Sequence, residues 1–206
     1  MNPTPTPTPD QKLINKHRGI NTHHDWWDST YDDFHTTMQT IGVEVDEMYF
    51  SGFWSQGDGA CFDGAVSDWV KFLPAVDPDY NNPVLIAHAR KYFSFSCKHY
   101  GHYYHERCVQ YDADLPLPES SIDMDFAEQY SPYPLDDLRT AAWLAVLNRY
   151  DPALLETSLR EAFTGHMQNL YDLLESEYDY LTSDEAVWDS IVANDMHLNE
   201  EENNDE

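Results

Sequence analysis

Apolar residues recur at intervals of three or four between residues 27 and 41. The stripe consists of Trp27, Tyr31, Phe34, Met38 and Ile41. Three aspartates fall between these positions, so one side of the segment is apolar and the other is acidic. This spacing predicts an amphipathic helix. Gly42 follows directly and is expected to end it.

Two later segments have the pattern of β-hairpins. In the first, "MYFSGFW" and "ACFDGAV" flank "SQGDG". Gly57 and Gly59 are expected to supply positive φ in a tight turn. Both faces of these flanking strands are apolar, which predicts a central hairpin covered on both sides. In the second, "YFSFSCKHYGHYYHERCVQYD", a turn near Gly101 and His102 would place residue 99 opposite residue 104.

The remaining signals are helical and lie mostly in the last third of the chain. Four helix starts are marked by capping or first-turn residues: Asn82–Pro83, Asp136–Asp137, Asp151–Pro152, and Thr182 with Glu185. The fold class is therefore predicted as α+β. An antiparallel sheet of about four strands, formed by two hairpins, packs with an N-terminal helix and a C-terminal helical third.

The ends of the chain differ in composition from its middle. Residues 1–22 begin with alternating Pro and Thr and predict a flexible tail, and 198–206 predict an acidic disordered tail. Residues 23–197 are predicted to form a single α+β domain. No basic and apolar leader and no membrane-length apolar run is recognised. Three unevenly spaced cysteines favour a reducing compartment, so we expect a cytoplasmic protein.

The segment "GDGACFDG" has two interpretations. A chemical one makes Cys61 a nucleophile, or Asp58 and Asp63 metal ligands. However, the segment is neither a dinucleotide-binding glycine motif nor a P-loop, and it lacks the alternating ligands of a calcium loop. We therefore interpret it as a turn, with Cys61 as a small buried hydrophobic residue.

A group of cysteines and histidines raises the alternative of a zinc site. Cys97, His99 and Cys108 are predicted on one strand face beside aromatic residues. No C-x₂-C pair is present, and three candidates fall short of the four ligands of a structural zinc site. We expect no metal, no cofactor and no enzymatic activity. The enzymatic alternative would assemble a site from scattered residues: His35, His88, His99, His105 and Cys61.

The strongest signal is charge. The 206 residues contain 38 Asp and Glu against 11 Lys and Arg, a net charge of −27. Residues 161–206 contain fourteen acidic residues and no Lys or Arg, and no basic residue lies between Cys108 and Leu138. Such a surface repels nucleic acid and anionic membranes and attracts basic protein surfaces.

Carboxylates on successive helical turns, about 5.4 Å apart, resemble the regular charges of a nucleic-acid backbone. This pattern predicts a surface that mimics nucleic acid. The candidate contact residues are Asp172, Glu175, Asp179, Asp184, Glu185 and Asp189. The structural alternative is a solvated acidic face without a specific partner. A homodimer is compatible with mimicry, because pairing would extend the acidic surface.

Three strings, "MYFSGFWSQGDGACFDG", "KHYGHYYHERC" and "EYDYLTSDEAVWDSIVAN", resemble a family of acidic proteins encoded by bacteriophages and mobile elements. Members of that family often carry the label of an antitoxin of a toxin–antitoxin system. The resemblance touches much of residues 25–195 and implies a phage or plasmid setting. It transfers no catalytic residue.

Together these observations predict an inhibitor of a host defence system that binds nucleic acid, such as restriction–modification or CRISPR–Cas. The expected partner is a basic, nucleic-acid-binding host protein, with no direct binding of nucleic acid or membrane. The alternative is an antitoxin, or an inhibitor of another host enzyme, that binds through aromatic anchors.

Overall fold

The computed structural model describes residues 8–117 and 138–196. Its strands are β1 (Val43–Phe50), β2 (Ala60–Val66), β3 (Ser94–His99) and β4 (Val109–Asp114). Its helices are α1 (Gln11–Lys16), α2 (Asp28–Thr40), α3 (Trp69–Val76), α4 (Pro83–Tyr92), α5 (Leu138–Leu147), α6 (Pro152–Leu181) and α7 (Asp184–Ala193).

The four strands form one antiparallel sheet in the order β1-β2-β3-β4. The predicted α+β class, with two hairpins, an N-terminal helix and C-terminal helices, is confirmed. The prediction that the first hairpin is central is wrong for β1, which lies at the edge and has an irregular register between Val45 and Glu47. Only β2 of this hairpin is an inner strand, and Cys61 on it is buried. The predicted burial of Cys61 is therefore confirmed.

The sheet is covered by α6 through one aromatic side chain. Phe163 is buried, and its ring centroid lies 5.6 Å from that of Phe62 on β2 and 5.0 Å from that of Phe95 on β3. Phe72 of α3 meets the same ring at 5.5 Å, and Phe34 of α2 contacts Phe62. Elements far apart in the sequence therefore share one aromatic core, which a four-stranded sheet needs for stability.

Several predicted helix boundaries are confirmed. Asn82 caps α4 by accepting from Val84 N at 2.9 Å, and Asp151 caps α6 by accepting from Ala153 N at 2.8 Å. Gly42 follows α2 with a φ of +83°. The helix predicted from Asp136 and Asp137 begins at Leu138, while those two aspartates lie outside the described residues. Helix α3 was not predicted.

The first hairpin loop differs from the predicted tight turn. Residues 51–59 separate the strands, and the positive φ belongs to Gly52 rather than to Gly57 or Gly59. The Asp58 carboxylate accepts from Trp54 N at 2.8 Å and from Ser55 N at 2.6 Å. This side chain therefore holds a wider loop that the local Asp-Gly signal did not reveal.

The second hairpin also turns differently. The observed register pairs His99 with Val109 and Cys97 with Tyr111, so the predicted pairing of 99 with 104 is wrong. A nine-residue segment, 100–108, joins the strands, although Gly101 does have a positive φ. Asp63 of β2 accepts from His99 N at 2.6 Å. The end of β3 is thus fixed by a neighbouring strand rather than by a local turn.

The chain divides into two compact units, which the sequence did not predict. Unit 1 joins Met1–Asp32 with Asp172–Glu206, and unit 2 is Asp33–Tyr171. The boundaries fall within α2 and α6. The predicted acidic tail at 198–206 lies outside the described residues.

Unit 1 contains an ordered part of the predicted flexible tail. Asp10 caps α1 by accepting from Lys12 N at 2.8 Å. Leu13 and Ile14 are buried in a cluster with three residues of α7: Val187, Trp188 and Ile191. The prediction of a tail over 1–22 is therefore wrong from residue 11 onward, because these two apolar side chains have a long-range partner.

Among the described helices, none combines the length and apolarity that crossing a bilayer requires.

Gly42 and Gly165 provide a matched test of this description. A Cβ on Gly42 would lie 2.3 Å from Asp68 O, whereas one on Gly165 of α6 would meet nothing within 4 Å. We expect Gly42→Ala to lower the free energy of unfolding by at least about 1–2 kcal/mol from its left-handed backbone alone. We expect Gly165→Ala to raise it by up to about 1 kcal/mol. Chemical denaturation measures both free energies of unfolding. Equal changes in the two variants would contradict the left-handed backbone conformation of Gly42.

One histidine lies within the core of unit 2. His88 of α4 is fully buried, with Nε2 2.6 Å from Pro116 O and its ring 5.3 Å from that of Trp143. Burial lowers the pKa of His88 below its usual 6.5 and also lowers that of His166. Because the unfolded chain binds these protons more readily, stability falls as the pH drops below 6.5 towards the folded pKa.

His88→Gln should reduce this acid sensitivity, because an amide can still donate to Pro116 O but gains no charge. The measurement is the change in free energy of unfolding between about pH 7.5 and 5.5, compared with the parent chain. His24→Gln, at an exposed position, is the matched control. An equal reduction in both variants would show that burial of His88 is not the cause.

Candidate functional site

The acidic ladder predicted on α6 lies in the part of this helix that belongs to unit 1. Leu170 and Leu174 are buried on one side. Asp172 and Asp179 are exposed, while Glu175 is half-buried. Residues three and four apart lie along one helix face, so these carboxylates form a row about 10 Å long at a rise of about 1.5 Å per residue.

Helix α7 presents the other three candidates. Val187, Trp188 and Ile191 face the apolar cluster with α1, whereas Asp184, Glu185 and Asp189 are exposed. Glu185 and Asp189 lie away from the centre of this apolar side. Asp184 precedes Val187 by three residues and Trp188 by four, so it lies along the same side of the helix and is exposed in its first turn. Asp184 and Glu185 lie in the first turn, where the helix dipole favours negative charge. Their acidity therefore also stabilises the helix itself.

The start of α7 differs from the predicted capping box. Ser183 is the N-cap, and its hydroxyl accepts from Ala186 N at 3.2 Å. The hydroxyl of Thr182 instead donates to Tyr178 O at 2.8 Å. The cap is shifted by one residue, because Thr182 is used to close the last turn of α6.

Asp184 is engaged by a cation from the other end of the chain. Arg18 Nη1 lies 2.5 Å from Asp184 Oδ1 and donates to Thr182 O at 3.0 Å. Asn21 donates to Leu181 O at 2.9 Å, which satisfies another carbonyl at the end of α6. Hydrogen bonds from Arg18, and secondarily from Gln11, lower the pKa of Asp184. Asp184 is therefore partly a structural residue.

The structure thus brings the candidates into one compact unit but does not make them equivalent. The described part of unit 1 contains twelve Asp and Glu against three Lys and Arg. Arg18 offsets one charge at Asp184. Among the six candidates, the exposed carboxylates without this partner are Asp172, Asp179, Glu185 and Asp189.

The second acidic stretch, between Cys108 and Leu138, is described only at its start. Asp112 and Asp114 are exposed on β4, and the acidic residues from 119 onward lie outside the described residues. The candidate acidic surface is therefore that of unit 1.

A second region, in unit 2, lies where the loops 51–59 and 100–108 meet. The Tyr49 ring stacks on that of Tyr104 at 5.4 Å and lies 4.9 Å from the His99 ring. Burial, the Glu47 carboxylate and the Asp63 carboxylate raise the pKa of Tyr49. The phenol therefore stays neutral, and this stack joins the loop to the sheet.

The zinc alternative is not supported by the arrangement of its candidates. Cys97 is buried and its Sγ donates to Phe62 O at 3.2 Å, His99 ends β3, and Cys108 lies in a short 3₁₀ turn, Glu106–Cys108. Among the residues that the structure describes, no group of three or more His, Cys, Asp or Glu could hold a metal. The predicted shared face depended on the incorrect hairpin register.

Sequence reasoning missed a pocket between the same two loops. It is lined by Gln56, Gly57, Tyr103, His105, Arg107 and Cys108. Gly57 and Gly59 are needed here for close approach, since added Cβ atoms would lie 2.8 Å from the Tyr103 ring and 2.9 Å from His105 Cα. The sequence signal for this pocket was the high density of His, Tyr and Cys. It was missed because the predicted two-residue turn placed these residues in strands.

Replacing Arg18 tests the description of Asp184. Arg18→Gln should raise the pKa of Asp184 towards its usual 3.8, because the principal hydrogen bond to the carboxylate is lost. An NMR titration of the Asp184 carboxyl measures this change. Lys12→Gln removes the same charge from an exposed position in α1 and is the control. An equal rise of the Asp184 pKa in the control would show that the overall charge of the protein, and not the hydrogen bond from Arg18, lowers this pKa.

The chain matches the model of a known protein family. The model of DUF8835, a domain of unknown function, matches residues 26–184. The match includes four of the six candidate carboxylates and the pocket between the loops, while Glu185 and Asp189 lie beyond it. No curated protein and no solved structure matches the chain. Because the match covers more than half of the sequence, the chain belongs to the DUF8835 family.

Proposed function

We propose that the protein inhibits a host defence system by occupying the nucleic-acid-binding surface of one of its basic proteins. The observation that carries this proposal is the set of six candidate carboxylates on α6 and α7, of which five are exposed and Glu175 is half-buried. Residues 161–206 contain no Lys or Arg, and Arg18 offsets one of these charges, at Asp184. Restriction–modification and CRISPR–Cas proteins are the classes of target with suitable basic channels.

The candidate carboxylates lie on folded helices, which favours a fixed binding surface over a disordered acidic tail. Glu185 and Asp189 of α7 are held away from the side on which Val187, Trp188 and Ile191 are buried. A fixed array loses less conformational entropy on binding than a flexible chain does. Like charges at helical spacing cost about 0.2–0.5 kcal/mol per pair, a cost that attraction to a basic partner would offset.

The proposed mechanism is competitive and electrostatic. The net charge of −27 would accelerate encounter with a basic surface, and association would weaken as salt increases. The resemblance to proteins of phages and mobile elements supports a role against a host, in the host cytoplasm. A homodimer would lengthen the array. This mechanism requires no cofactor and no covalent chemistry.

A second candidate function is favoured by exposed aromatic residues in unit 2. The exposed fractions are 76% for Trp54 and 56% for both Tyr100 and Tyr103. Such residues are typical energetic centres of protein interfaces. An antitoxin or an inhibitor of another host enzyme would use them as anchors, with charge affecting mainly the rate of association.

The target is sought first by capturing host proteins on the tagged chain at low and at high salt. Capture of a nucleic-acid-binding defence protein that is released by salt and by competing duplex DNA is the expected result. A salt-resistant partner that binds no nucleic acid would contradict mimicry.

Variants of the captured complex then separate the two functions. Asp172→Asn with Glu175→Gln and Asp179→Asn should weaken binding about tenfold, from the loss of three charge pairs with the partner of about 0.2–1 kcal/mol each. The control changes the net charge equally at exposed sites on the sheet: Glu44→Gln, Asp112→Asn and Asp114→Asn. Its effect should be small. If Trp54→Ala or Tyr103→Ala alone lowers the binding free energy by about 2 kcal/mol, binding through aromatic anchors is favoured over nucleic-acid mimicry.

A further inference from the structure

The two helices that carry the candidate carboxylates are joined by a short connection. Helix α6 ends at Leu181 and α7 begins at Asp184, so only Thr182 and Ser183 lie between them. Each helix supplies three of the six carboxylates. A partner that contacts both sets at once therefore requires α7 to keep one orientation relative to the end of α6.

Arg18 contacts both sides of this junction. Its guanidinium donates to Thr182 O at 3.0 Å, just after the end of α6, and pairs with the Asp184 carboxylate at the start of α7. Its second terminal nitrogen donates to the side chain of Asn15 on α1 at 2.7 Å. Because a guanidinium presents several donors in one rigid plane, this single side chain joins three segments of the chain.

Asn21 makes a second bridge across the same junction. Its Nδ2 donates to Leu181 O at 2.9 Å at the end of α6, and its Oδ1 accepts from Ser190 Oγ at 2.6 Å on α7. One amide thus contacts both helices. Asn21 carries no charge, so its effect on geometry can be measured without a change in the electrostatics of the surface.

The apolar packing of unit 1 acts at a different place. The buried members of its cluster come from α1 and α7, so they hold these two helices together. Links from the N-terminal segment to α6 include the bridges of Arg18 and Asn21 and a contact between the rings of Trp26 and Tyr178, 5.5 Å apart. The polar bridges therefore fix the pair of α1 and α7 on the end of α6.

We propose that Arg18 and Asn21 are positioning residues of the acidic surface, which fix α7 on the end of α6 so that one basic partner meets the carboxylates of both helices together. This inference rests on the proposed function, because an array held in place loses less conformational entropy on binding. Arg18 then acts in two opposite ways. It offsets the charge of Asp184, yet it strengthens binding by orienting Glu185 and Asp189.

The sign of the effect of Arg18→Gln separates positioning from simple charge. The substitution makes the chain one charge more negative than −27 and removes the cation at Asp184. If charge alone set the affinity, a basic partner would bind more tightly. We expect binding to be about tenfold weaker, a typical combined contribution of a few exposed charge pairs. Dissociation should be faster, while association, which depends on long-range charge, should be unchanged or slightly faster.

The binding test uses the full chain and the defence protein captured at low salt, with both rate constants measured for each variant. Asn21→Ala should also accelerate dissociation. Two controls at exposed positions should not: Lys12→Gln, which removes the same charge, and Gln39→Ala, which removes an amide. Partial unfolding would reduce the amount of competent chain but not change the dissociation rate constant. Equal or tighter binding by Arg18→Gln overturns the proposal.

The geometry is tested without a partner by NMR on the full chain. Residual dipolar couplings of the backbone N–H groups of residues 172–181 and 184–193 report how α7 is oriented relative to the end of α6. In Arg18→Gln and Asn21→Ala the couplings of α7 should shrink relative to those of α6, because α7 samples several orientations. Unchanged couplings overturn the positioning role even when a partner is captured. Failure of the parent chain to capture a nucleic-acid-binding protein overturns the proposed function, and the positioning role with it.

Discussion

The architecture of unit 2 depends on the insertion of Phe163 into the aromatic face of the sheet. Its ring meets residues from β2, β3 and α3, and the ring of Tyr111 on β4 lies 6.3 Å away. The opposite side of β3 and β4 carries exposed residues such as Ser94, Lys98 and Asp112. A sheet with one solvated face needs a helix on the other, and a single ring can join three strands at once.

Features set by neighbouring residues could be predicted from the sequence, whereas those set by distant contacts could not. The caps at Asn82 and Asp151 and the helix end at Gly42 are local, and each was found. The register of the second hairpin was not predicted correctly, because the end of β3 is fixed by Asp63 on another strand. Helix α1 was missed for the same reason, since only its packing against α7 explains the burial of Leu13 and Ile14.

The acidic surface of unit 1 and the pocket of unit 2 also differ in how far the sequence predicts them. The carboxylates of α6 and α7 could be identified by counting charges along the chain, but the partner of Asp184 lies 166 residues away at Arg18. The pocket around His105 and Cys108 depends on two loops that are joined through Gly57 and Gly59. Its composition was visible in the sequence, while its geometry required the correct register.

The packing of α1 on α7 has a consequence for synthesis. Leu13 and Ile14 leave the ribosome early, but Val187 and Ile191 are among the last described residues to be made. During most of translation these two apolar side chains therefore lack their native neighbours. Unit 2, by contrast, comes from one continuous segment and can begin to fold first. A chain cut short before α7 would leave α1 uncovered and would be a natural substrate for chaperones and proteases.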